Sequence, residues 1–356
     1  MEGKTSYEQI KRIIGGTQED KEAASRKLQT VFEERSGKLA EYEIEKSPED
    51  LEILNKTESI VDRIVSQYGG DPKPLPLDHI YVLKPGSVLA VTEGKLAGGV
   101  HRPLGLKIGV ERGKSRSLFA STVAHELFHL KSYKSARVGK SGEDVRLYRS
   151  GISMIDRKDP NEEKGEEKEY FAMLEEAIVA ECTKKFLDEI SRDSEFREEA
   201  EAVRKFRNWA VAYYRRAGMP EEKAKEFERE LKYIAEPQDK VEMVLAFSDE
   251  EEKREAYAAG IFSALYEKGE VETIERYRER KKLYELLDKL VVNSGGKFKN
   301  RDEVFNEFAK ANFSGNYLPL ARVVEGILGK GSFRALAEEF SQEPEEEHET
   351  SEETNP

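Results

Sequence analysis

The chain has 356 residues, with 59 Lys or Arg against 72 Asp or Glu, for a net charge of −13. That length suffices for one large domain or two modest ones with a proper core, and the acidic surplus argues against a nucleic-acid backbone or an anionic membrane as partner. The single cysteine, Cys182, excludes an intrachain disulfide, no stretch approaches the ~18 apolar residues of a membrane span, and no apolar run follows Met1 to Tyr7, so a cytosolic protein is expected.

Residues 4–70 read as helices with a charged exterior. Ile10, Ile13 and Ile14 mark a first short segment, Leu28, Val31 and Phe32 a second, and Leu51 to Val65 a third that Gly69-Gly70 closes. This N-terminal helical segment, 1–72, carries no visible chemistry. Pro72, Pro74 and Pro76 then forbid helix and announce a new element. Strand-like runs follow at His79–Leu83, Val88–Thr92 and, after a glycine-rich turn over 94–99, Gly105–Val110. In the last run Leu106, Ile108 and Val110 alternate with Lys107 and Gly109. Such a strand either accepts an added peptide strand or sits in an ordinary core hairpin. His101, beside Arg102-Pro103, is open to a role as ligand or substrate contact, but a lone turn histidine is more often just solvated.

Ser121 to Leu130 holds a His-Glu-x-x-His pattern: His125, Glu126 and His129, two of the chain's five histidines. Leu118, Phe119, Thr122, Val123 and Leu127 recur at helical spacing, which puts the pattern on a helix with a buried side. Residues four apart lie one turn apart on one face, so both imidazoles can reach a single ion. Glu126, ~100° round the helix, lies beside the open position and can take a proton from bound water. Lys131 and Lys134 suit the helix C-terminus, where cations complement the dipole. Val145–Ile155 reads as a β-hairpin turning at Ser150-Gly151, an insertion near the site.

A catalytic zinc takes a third protein ligand. Residues 162–190 read as a helix in which Phe171, Glu175, Ile178, Val179, Cys182 and Phe186 form one stripe. Glu176 shares the adjoining face with Ala172, Met173, Ala180 and Thr183. A carboxylate on an apolar face is costly unless paired or metal-bound, so Glu175 or Glu176 can be the missing ligand.

His125-Glu126-x-x-His129 followed by Leu174-Glu-Glu-Ala-Ile-Val179 resembles the gluzincin metallopeptidases of the thermolysin and aminopeptidase-N type. The resemblance implies zinc (Zn2+) held by His125, His129 and Glu176, with Glu126 as general base. It also implies a zincin-like catalytic core over 73–190, with a small mixed or antiparallel sheet and the active-site helices. Where those families place an acid four residues after the ligand Glu, to orient a zinc-bound His, this chain has Ala180, leaving Glu175 or Glu181 as substitutes. The metzincin pattern is excluded, because Ser132 and Ser135 occupy the places of its Gly and third His.

Residues 191–341 read as a helical C-terminal lobe. Phe206, Trp209, Ala210 and Tyr213 space one helix ended by Gly218, and further helices are expected near 222–235, 250–267 and 270–291. Asn300 with Glu303 makes a capping box, Pro319 opens another helix, and a last short one follows Gly329–Ser332. By the family logic this lobe walls the cleft and supplies an oxyanion donor, with Tyr170, Tyr213, Tyr214 and Tyr257 as candidates. Residues 342–356 form a disordered acidic tail, with seven Glu from Glu343 onward and no Lys or Arg. The expected whole is an α+β zinc peptidase acting on peptide or protein substrates. The alternative is a zinc-binding, non-proteolytic helical interaction protein.

Overall fold

The computed structural model describes residues 10–92, 99–112, 116–139, 144–157, 167–216, 218–222, 224–225 and 277–341. It is a mixed α+β fold with two small sheets. The larger sheet holds β1 (Ile10–Ile14), β5 (Lys134–Val138), β6 (Val145–Ser150), β7 (Ser153–Arg157) and β8 (Glu167–Tyr170), in that spatial order. β1 runs parallel to β5, and the remaining neighbours are antiparallel. The smaller sheet places β4 (Lys107–Glu111) between β2 (Ile80–Leu83), which is parallel to it, and β3 (Gly99–Arg102), which is antiparallel.

The helices in chain order are α1 (Gln18–Glu33), α2 (Gly37–Tyr42), α3 (Pro48–Gln67), α4 (Val88–Val91), α5 (Arg116–Lys131), α6 (Ala172–Ile190) and α7 (Arg197–Arg216). Later among the described residues come α8 (Tyr277–Asn293), α9 (Arg301–Ser314), α10 (Leu318–Leu328) and α11 (Ser332–Glu339). α5 is the central element. Phe119, Ala120, Val123, Ala124, Leu127, Phe128 and Leu130 are at most 4% exposed and cover about half of its circumference, and Ser121, Glu126 and His129 on the remaining face are buried as well. It packs on α3, α6, β3 and β4. Two lysines secure its C-terminal end. Lys131 bridges Glu58 (2.7 Å) and Asp62 (2.5 Å) on α3. Lys134 Nζ donates to the carbonyls of His129, Leu130 (2.9 Å) and Ser132 (3.4 Å), the acceptors that a helix leaves open at its end. The dipole reading of Lys134 therefore holds in geometry, but both lysines are buried rather than surface charges.

α6 begins abruptly. Phe171 sits at φ +60°, a left-handed conformation costly for a non-glycine residue, and its ring is 4% exposed. The first-turn amide of Met173 donates to the Phe340 carbonyl (3.1 Å) and that of Phe171 to the Ala337 carbonyl (3.4 Å). The far end of the chain thus satisfies donors that the start of a helix leaves open.

Several sequence expectations are corrected. Ile10–Ile14 is a strand, because β5 offers it a parallel partner more than 120 residues away. Val88–Val91 is a short helix, its Val88 amide donating to Glu111 Oε1 at 2.6 Å, so the partner of the 107–111 strand is 99–102. β4 is paired on both sides and is not an edge open to peptide addition; the outer strand beside α5 is β3. The helix expected from 162 begins at 172, after the strand Glu167–Tyr170. The Val145–Ile155 hairpin forms as expected, but its turn is no surface loop. Ile152 is 2% exposed, and Asn312 of α9 accepts its amide (2.9 Å). Asn300 caps α9 by accepting the Glu303 amide (3.0 Å), while Glu303 reaches back to the Lys299 amide. The helices expected at 250–267 and over most of 222–235, and the acidic tail, lie outside the described residues. No described helix is long and apolar enough to cross a membrane.

Candidate metal centre

His125 and His129 leave α5 one turn apart, and α6 brings Glu176 across to them. The two Nε2 atoms are 3.1 Å apart, and Glu176 Oε2 lies 3.7 Å from that of His125 and 3.5 Å from that of His129. A tetrahedral ion with bonds of ~2.0–2.1 Å separates its ligand atoms by about 3.3 Å, so the triangle has the dimensions of one small divalent cation. Two imidazoles and a carboxylate form a donor set that zinc accepts.

The other nitrogen of each ring is engaged. His129 Nδ1 lies 3.0 Å from Glu175 Oε2 and 3.1 Å from Oε1. His125 Nδ1 lies 3.5 Å from the Thr183 hydroxyl, which itself donates to the Val179 carbonyl (3.0 Å). Neutral rings with their proton on Nδ1 would leave both Nε2 lone pairs for a cation. Of the two carboxylates named as substitutes for an acid at 180, Glu175 is the one that lies against a histidine of the triad. Glu181 does not, since it pairs with Lys184 (3.0 Å) and Tyr284. Burial opposes a charge on His129, yet Glu175 and Glu176 together hold its pKa well above the ordinary imidazole value.

Glu126 points from α5 toward β3. Its Oε2 lies 2.9 Å from His101 Nδ1, and its side chain is 8% exposed. Burial pushes its carboxyl up, but the His101 hydrogen bond and the charges of His101, His125 and His129 outweigh burial and leave it below the usual carboxylate range. The His101 ring also stacks on His129, centroids 4.7 Å apart and planes 18° from parallel. His101 is thus a strand residue inside the site, where the sequence reading had a solvated turn. The signal was a glycine and a histidine two apart, which share one face once the segment is a strand.

Glu169, on β8, accepts from the Ser153 hydroxyl (2.5 Å). Burial and the charges of Glu175 and Glu176 raise its pKa. Tyr170 is half-buried, with Lys168 Nζ 5.0 Å from its ring centroid. The side chains of Tyr213 and Tyr214, and all of Tyr257, lie outside the described residues. Comparison with models of known protein families finds none that matches this chain, and comparisons with characterised proteins and with solved structures likewise return no match.

Proposed function

We propose that this protein is a zinc-dependent metallohydrolase of gluzincin type, acting as a peptidase on peptide or protein substrates. The observation that carries the reading is the triangle of His125 Nε2, His129 Nε2 and Glu176 Oε2, with edges of 3.1, 3.5 and 3.7 Å, beside a buried Glu126. A small mixed sheet, β2-β4-β3, packed on α5, with α6 packed on that helix in turn, is compatible with a zincin-like core.

Zinc bound here would supply a Lewis acid able to lower the pKa of water toward ~7 and to polarise a scissile carbonyl. The chain's own residues do the rest. His125, His129 and Glu176 hold the ion with one side open. Glu126, ionised because its pKa is lowered, accepts a proton from the attacking water and hands it to the departing amine. Glu175 keeps His129 in the tautomer that binds metal.

The test pairs metal content by mass spectrometry with hydrolysis of a mixed peptide library, for the wild type and three variants. One zinc per chain is expected in wild type and Glu126→Gln, and much less in His125→Ala and Glu176→Gln. Only the wild type should cleave. Full cleavage by Glu126→Gln would defeat the mechanism. Stoichiometric zinc with no cleavage in any form would instead favour the zinc-binding interaction protein, and substoichiometric zinc in wild type would remove both readings.

A further inference from the structure

We propose that His101 is the positioning residue for Glu126, and that strand β3 serves as the template that aims the general base. The inference rests on the role assigned to Glu126 above. Side chains alternate along a strand, so positions 99 and 101 share a face, and both meet the same carboxylate. At 99 a glycine leaves room: a Cβ there would lie 2.9 Å from Glu126 Cγ and 2.9 Å from Oε1. At 101 the imidazole reaches Oε2 at 2.9 Å. One oxygen therefore lies against bare backbone and the other meets a hydrogen-bond donor.

The template is itself held firmly. β3 pairs along its length with β4, His101 opposite Ile108 and Gly99 opposite Val110. The His101 ring is fixed by stacking on His129. An ionised carboxylate only accepts, so the shared proton belongs to His101 Nδ1. The bond removes the rotational freedom that a glutamate loses on entering a reactive geometry, and such alignment is realised in turnover rather than in ground-state binding.

The test compares the zinc-loaded full chain with His101→Phe, which keeps a ring against His129 but has no donor, and His101→Asn, whose amide places a donor close to the position of Nδ1. In His101→Phe, kcat on the best library peptide should fall about 100-fold with KM nearly unchanged, and His101→Asn should recover to within about 10-fold of wild type. Zinc stoichiometry should be equal in all three. Wild-type kcat in His101→Phe, or a loss that Asn does not repair, would overturn the proposal.

A second readout needs no turnover. Nitrogen-15 spectra of the wild-type imidazoles should show His101 protonated at Nδ1, and that tautomer should be lost in Glu126→Ala. A His101 protonated only at Nε2 overturns the pairing. A wild type that binds zinc and cleaves nothing defeats the peptidase reading alone, and the tautomer still decides the pairing.

Discussion

Glu175 and Glu176, adjacent on α6, address opposite nitrogens of one ring: Glu175 Oε2 is 3.0 Å from His129 Nδ1, and Glu176 Oε2 is 3.5 Å from His129 Nε2. Neighbouring residues on a helix point ~100° apart, and the His129 ring lies where those two directions converge. On the proposed reading Glu176 would bind the metal, and Glu175 would set the basicity of its His129 ligand.

Removing the outer member should therefore weaken metal without abolishing it. Glu175→Ala is expected to lower zinc affinity about 10- to 100-fold, with Glu175→Gln less affected because its carbonyl still accepts from Nδ1. Competition against a chromophoric chelator measures this. Equal affinity in Glu175→Ala and wild type would show that His129 needs no such support.

Gly151 turns the β6–β7 hairpin at φ +56°, and a Cβ there would meet Asn312 Oδ1 at 2.0 Å and Glu175 Cγ at 3.1 Å. Left-handed strain and overpacking add, so Gly151→Ala should cost about 2–4 kcal/mol in denaturant unfolding. Because the intruding methyl presses on Glu175, the variant should also bind zinc less tightly. A loss of stability with unchanged zinc affinity would uncouple the turn from the centre.

Gly99→Ala should behave in the opposite way. Its Cβ would displace Glu126, which is not a ligand, so zinc stoichiometry should hold while turnover falls at least ~10-fold. Peptide hydrolysis beside metal analysis separates the two glycines. Unchanged turnover would mean that Glu126 has another productive position.

Lys134 offers a prediction about pH. Burial lowers its pKa from 10.5 to about 7 in the folded protein, against a weaker opposing pull from Glu175. Between those values the unfolded chain holds a proton that the folded chain has released, so this residue makes stability rise with pH across that window. Its contribution has a slope of at most about 1.4 kcal/mol per pH unit. Guanidinium unfolding of the wild type at pH 7, 8 and 9 should show this rise relative to Lys134→Met. Parallel profiles for the two proteins would mean that the three carbonyls keep the ammonium charged.

What could be read from the chain follows the range of the forces involved. His125, Glu126 and His129 declare themselves through spacing on one helix, and the apolar stripe of α6 singles out Glu175 and Glu176 as carboxylates in need of partners. Which of the two faces both Nε2 atoms, and which lies against His129 Nδ1, depend on how α6 is rotated against α5, a property of packing between elements. His101 was misread for the same reason, since its face is set by pairing with β4. Ile10–Ile14 has too few residues to separate a helical from a strand period, and only Lys134–Val138 decides between them. Val88–Val91 misled in the other direction. Its β-branched run suits a strand, but a side-chain acceptor on Glu111 captures the first amide and a helical turn results.

The carbonyls of Ala337 and Phe340 close the first turn of α6. The start of the helix bearing Glu175 and Glu176 is thus tied to a segment more than 160 residues further along the chain. A change near residue 340 would therefore be felt at the start of the helix that carries Glu175 and Glu176.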